Sequence, residues 1–348
     1  MKKRINALVT FSSNDFEFED DYNIEIISKN FDPQTIEWVK KFCHTNDETA
    51  IQDEISILLN KINLTELFNE LHDYANKFYG FSLPLQLKVM DDTLNMVQNE
   101  NIIFINSVMI SAFFSYIATQ MYHADTLGNK EEDLFCYRYT LSILNYMCYG
   151  DFKLPIIIHN QESILALLEK FLDRSHLLNL TSDIYFSAMA FAIAHEIAHS
   201  YLKHIGGKYS LQKEIDADTN AFKMYLNFCD YIQQNHNTSN FSECIQSHTY
   251  MAPMYLLEFY YVVYYTGSFL CPHCPPVEKY FFDDIVKRKE SMLEVFYNWD
   301  GGENETPSYD LYNFYLNGQE SFLRTFVASD RAGLLEKVKE NNRRKSSI

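Results

Sequence analysis

Basic residues are scarce in this chain: 29 Lys and Arg stand against 47 Asp and Glu, a formal net charge of −18. Without a basic stripe to offset phosphate charge, nucleic acid and anionic membrane are poor partners, and the acidity mainly favours solubility. A disulfide framework is also missing. The seven cysteines (43, 136, 148, 229, 244, 271 and 274) are odd in number and irregularly spaced, which argues against a secreted, bridge-stapled fold and for a reducing cytoplasm. Cys271 and Cys274 are the one close pair; no second pair completes a tetrahedral metal site, so free thiols in a turn are expected. No apolar run of membrane length is uninterrupted. Residues 102–122 contain Asn106, Ser107, Ser111, Ser115 and Gln120, and residues 252–270 contain Glu258; buried strands and helices, with no membrane partner, explain both better than the alternative of a membrane-embedded peptidase. The opening Met1-Lys2-Lys3-Arg4 is basic, but the apolar stretch behind it is short and gives way to acidic residues, unlike a signal peptide. No internal repeat or low-complexity domain is present.

What is present is enough for a large core, since 47% of residues are apolar and 16% aromatic in a chain long enough for one or two domains. Helical periodicity is expected at 33–43, 47–60 and 64–78, which could form an N-terminal helical region over 1–80. β-prone runs follow at 85–90, 102–105 and 154–158. Helices are then expected at 131–149 and 162–178, across 183–226, and at 250–265, 277–299 and 311–327, with loops at 233–240 and 300–304. The fold class is therefore α+β and mainly α-helical, with residues 81–340 as the main domain and 341–348 as a flexible tail. The aromatic run 259–265 suits a packed core better than a substrate groove.

The chemistry concentrates in His195-Glu196-Ile197-Ala198-His199. The segment before it is rich in alanine and long apolar residues that favour helix. Residues four apart lie on one helix face, so both imidazoles can address one cation. Glu196, rotated by one residue, reaches towards a water instead and is the natural general base. Ala194 and Ala198 would let a neighbouring backbone or substrate approach this helix closely.

After a Gly206-Gly207 turn, Glu214 and Asp218 share one face of a second amphipathic helix. Glu214 would be the third ligand of a zinc ion whose fourth position is left to water, the pattern of a catalytic site. Asp218 would stand behind it, accepting the spare ring N–H of a ligating histidine. Asp216 points elsewhere on a helix and reads as a solvated acid.

At these residues the chain resembles the gluzincin peptidases, whose pattern is HExxH followed by a downstream glutamate ligand, often as ExxAD, here Glu214 to Asp218. The resemblance covers residues 183–226. It implies a zincin-like catalytic core, mainly helical, with a small sheet whose edge strand binds extended substrate. The short gap from His199 to Glu214 is similar to that of compact, soluble forms, such as exclusion peptidases of the Lit kind or stress-response peptidases of the ImmA/IrrE kind. A metzincin signature would need Gly at 202 and His at 205, where this chain has Leu202 and Ile205. Downstream, Pro272-His273-Cys274-Pro275 is similar to a His-Pro motif of several gluzincin-like families, interrupted by Cys274.

The expected reaction is zinc-dependent hydrolysis of a peptide bond in a peptide or protein substrate, by an intracellular endopeptidase with Glu196 handling the proton. His248, Tyr250, Tyr255 and His273 are the candidate donors to the oxyanion. The alternative is a sensor or interaction protein in which the same ligands hold zinc and the chemistry is idle; a phage-exclusion or defence role is compatible with either.

Overall fold

A long apolar helix organises the molecule. The computed structural model describes residues 64–80, 84–90, 97–99, 101–149, 174–204, 210–235, 245–270, 279–299 and 307–345, and positions 167, 170, 171, 239, 241 and 242 between them. The helices expected at 33–43 and 47–60, the strand at 154–158, the turns at 206–207 and 300–304, most of the helix at 162–178, and Cys271 to Cys274 lie outside the described residues.

Helix α1 (Leu64–Tyr79) buries Leu67, Phe68, Leu71, Tyr74 and Ala75, the spacing of an amphipathic helix pressed on a core. Three short strands follow: β1 (Gln86–Met90), β2 (Val97–Asn99) and β3 (Ile102–Asn106). They form one sheet in the order β1-β3-β2, with β1 parallel and β2 antiparallel to β3. Gln86 sits opposite Ile102, and Val97 opposite Phe104. Ile103 and Ile105 are buried and Ile102 and Phe104 less so, the period-two pattern of a sheet with one covered face.

Helix α2 (Ser107–Asp125) is buried on nearly all sides, which accounts for apolar residues falling all round it and not along one stripe. Helix α3 (Lys130–Tyr149) begins beside Asn129, whose Oδ1 accepts the Glu131 N–H at 3.2 Å, and carries three acids in its first turn; both features suit a helix N-terminus. Helix α4 (Ser175–Tyr201) packs against α1 and α2, and against two later helices, α5 (Leu211–Gln234) and α6 (Ala252–Leu270). By length and composition the stretch His176–Tyr201 could cross a membrane; buried among these neighbours, it is the core helix of the fold.

A 3₁₀ turn (Ser247–Thr249) leads into α6 and is tied to the core by the Ser187 hydroxyl, which donates to Thr249 Oγ1 at 2.8 Å, and by the Tyr225 hydroxyl, which donates to the Thr249 carbonyl at 2.9 Å. Helix α7 (Lys279–Trp299) packs on α5 and α6, and α8 (Pro307–Lys345) lies along α2. The mainly helical α+β class expected from the sequence is the one observed. Several details differ from the expectation: α2 is not among the expected helices, α4 runs without a break from Ser175, β2 is an added strand, α5 continues to Gln234 within the expected loop, and α8 begins at Pro307 and runs well past 327. Phe259 and Val262 of the aromatic run are buried, and its tyrosines pack half-buried against the core.

Candidate metal centre

On α4, residues 184–198 are buried except where His195 interrupts them, and His195 and His199 keep 12% and 16% of their side chains exposed. The two rings meet edge to face with centroids 4.5 Å apart, and their Nε2 atoms are 2.9 Å apart. Ala194 and Ala198 are fully buried, so the close approach their small size permits is taken up by the protein's own core. The turn carrying His199 is closed. The Lys203 N–H bonds the Ser200 carbonyl at 3.1 Å, the His204 N–H bonds the His199 carbonyl at 2.8 Å, and Lys203 adopts φ 57°. This pair of bonds around a left-handed residue is a Schellman closure, which satisfies carbonyls that a helix end leaves bare. It also sets the His204 ring 5.5 Å from that of His199.

Helix α5 delivers the acids. Glu214 Oε2 lies 3.4 Å from His195 Nε2, and its Oε1 lies 3.7 Å from His199 Nε2. One turn on, Asp218 is fully buried with Oδ1 2.9 Å from His195 Nδ1. Asp216 turns away and accepts a hydrogen bond from Gln212 at 2.9 Å.

Among the described residues, His195, His199 and Glu214 form a group whose ligand atoms all lie within 4.8 Å of one another. A tetrahedral zinc with bonds of about 2.0–2.1 Å holds its ligand atoms about 3.3 Å apart. The histidine nitrogens stand 2.9 Å apart, and the nearest Glu214 oxygen to each, Oε2 for His195 and Oε1 for His199, lies at 3.4 and 3.7 Å, so the donor set fits such an ion in chemistry and brings one ligand atom per residue within 4.8 Å of the others. Two imidazole lone pairs at 2.9 Å repel unless a proton or a cation lies between them. With the Nδ1 side of His195 facing Asp218, its Nε2 is the atom left to bind.

Arg288 of α7 was not anticipated from the sequence. Its Nε and Nη2 donate to Asp218 Oδ2 and Oδ1 at 2.6 and 2.9 Å, and Nη1 lies 3.5 Å from Glu214 Oε2. No local pattern could have flagged it, because Arg288 is 70 positions from Asp218 and reads as one basic residue of an amphipathic helix.

The charges sort the acids into roles. Burial alone would raise the Asp218 carboxyl, but the Arg288 charge and the contact with His195 hold it below the ordinary range. Burial likewise opposes ionisation of Glu214, and the contacts with His195 and His199, helped by Arg288, hold it far below. Glu196 differs: burial raises its pKa, with Glu214 adding to the effect and the two histidines and Arg288 only moderating it. A buried carboxyl with raised proton affinity beside two ionised ones is suited to proton transfer. Burial lowers His195, yet its contacts with Asp218 and Glu214 overcome this and raise it to about 10.

Of the candidate oxyanion donors, His248 and Tyr250 are held away from the cluster. His248 Nε2 lies 3.2 Å from Asp183 Oδ2, and Asp183 is twelve residues, about 18 Å along the helix, before His195. The Tyr250 hydroxyl donates to Asp230 at 3.3 Å, near the far end of α5 from Glu214. Tyr255 is buried against Tyr312 and Tyr315. His273 lies outside the described residues.

Residues 168–258 match the family model Peptidase U49, which supports a peptidase, and hence a hydrolase. The matched stretch contains His195, Glu196, His199, Glu214 and Asp218 but stops short of Arg288. No curated protein and no solved structure matches the chain.

Proposed function

We propose that the protein is a zinc-dependent metallopeptidase of the gluzincin type, with His195, His199 and Glu214 as metal ligands and Glu196 as general base. The observation that carries the reading is the convergence of two histidine nitrogens and one carboxylate within 4.8 Å of one another, beside a buried glutamate. Zinc, when bound, supplies Lewis acidity towards a peptide carbonyl and lowers the pKa of water. The remaining work belongs to side chains. Glu196 takes a proton from the attacking water and returns it to the leaving amine, a transfer its raised proton affinity favours. Asp218 faces His195 Nδ1 and fixes which ring nitrogen carries the proton.

The reading extends to an intracellular endopeptidase acting on a specific protein substrate in the cytoplasm. The buried free thiols of Cys136 and Cys229 are compatible with a reducing compartment. The short connection between His199 and Glu214 supports kinship with the compact exclusion or stress-response peptidases.

Glu196→Gln tests the proposal. The variant should retain zinc, measured by metal analysis of the purified protein, and lose about 10²–10⁴-fold in turnover of a quenched-fluorescent peptide library. Full turnover in the variant, or a wild type that takes up no zinc, overturns the proposal. An idle zinc-holding sensor would lose nothing functional by this change.

A further inference from the structure

The environment of Arg288 goes beyond a pairwise ion contact. Glu214 and Asp218 are acids one turn apart on the same face of α5, an arrangement in which like charges repel. One guanidinium spans both, with two nitrogens on Asp218 and the third near Glu214. A single buried carboxylate can swivel about its own bonds. A planar fork bonded to both oxygens removes that freedom, because the two planes must align. The oxygen held at 2.9 Å by Arg288 Nη2 is the one that lies 2.9 Å from His195 Nδ1, so ordering the carboxylate limits where the ring whose other nitrogen would meet the metal can sit.

The helix that carries Arg288 is itself pinned by the next residue. Lys289, about 100° further round α7, pairs with buried Glu258 of α6. Glu258 also accepts the Tyr312 hydroxyl at 2.7 Å and the Gln319 amide at 2.8 Å, both from α8. Gln319 in turn accepts the Tyr116 and Tyr315 hydroxyls at 2.9 and 2.8 Å. Adjacent residues of α7 thus reach in two directions, one into the metal centre and one into a satisfied polar network in the core.

Building on the zinc reading above, we propose that Arg288 is a positioning residue of the metal centre: it clamps Asp218, and through Asp218 the ring of His195, from a helix anchored by the Lys289–Glu258 pair. Zinc affinity, measured on the full chain by competition with a chromophoric chelator, is the direct readout. Arg288→Gln should weaken zinc binding about 10–100-fold, as loss of a supporting partner behind a ligand does. Arg288→Lys, which keeps the charge but lacks the planar fork, should fall between the two. On an Asp218→Asn background the Arg288→Gln change should add less than about 3-fold, because its effect passes through that carboxylate. Zinc affinity unchanged in both Arg288 variants, even with lowered thermal stability, would reduce Arg288 to a structural residue and overturn the inference while leaving the zinc reading intact. A wild type that binds no zinc overturns both. Should Arg288→Gln not fold, Arg288→Lys decides alone: wild-type affinity refutes the clamp.

Discussion

If the protein holds zinc as proposed, its metal-free form should depend on pH for stability in a way that the loaded form does not. In the metal-free chain, burial disfavours the His195 cation, but the adjoining Asp218 and Glu214 outweigh it and hold the imidazole at about 10, against about 6.5 for a free histidine. A group raised on folding contributes fully below its unfolded value and loses that contribution as pH rises through its folded value. The affected window is therefore pH 6.5 to about 10. Glu214 and Asp218, both depressed, stay ionised throughout it and add no slope. Each pH unit is worth up to about 1.36 kcal/mol, so the interval is worth up to about 5 kcal/mol. With zinc on Nε2 the ring carries no exchangeable second proton and the slope disappears. Urea unfolding at 25 °C, from pH 6.5 to 10, with EDTA in one series and zinc in the other, makes the comparison. The EDTA midpoints should fall relative to the zinc midpoints of the same pH, and zinc binding near pH 8 should release about one proton by calorimetry in two buffers. Parallel curves with no proton release would refute the assignment of His195 as a ligand.

Two further outcomes test the frame around the site. A Cβ on Gly318 would stand 2.2 Å from the Gln120 carbonyl oxygen and 3.1 Å from the Ala124 nitrogen, so Gly318→Ala must push α8 off α2; a loss of about 1–3 kcal/mol in urea unfolding is expected, and unchanged stability would refute the close approach. The buried Tyr255 hydroxyl has no hydrogen-bond partner among the described residues, so Tyr255→Phe should leave turnover intact and raise stability by up to about 1 kcal/mol, whereas an oxyanion donor would lose about 10²–10³-fold in kcat.

The parts of the molecule written in local pattern were legible from the sequence. The i, i+4 histidines lie on a helix, and Glu214 and Asp218 lie one turn apart on the next, because side-chain direction along a helix follows from spacing alone. Strands β1 and β3 follow from short β-branched and apolar runs. What escaped is set by tertiary contact. Arg288 acquires its place only when α7 packs across α5, and nothing within several residues of it distinguishes it from Lys287 or Lys289. His248 and Tyr250 follow the histidine and glutamate helices closely in sequence, yet the chain returns along α5 to the opposite end of α4 before it reaches them. The three-residue β2 has too few residues to show an alternation, and exists because β3 offers it an edge.

Helix α4 has a mechanical consequence. His195 stands twenty residues from its start at Ser175, about 30 Å along the axis, so a tilt of one degree about that end carries the ring through about half an ångström. Zinc sites tolerate only about 0.2 Å in their bond lengths. Substitutions under the N-terminal half of this lever, among residues that never touch an ion, should therefore behave as mutations of metal affinity.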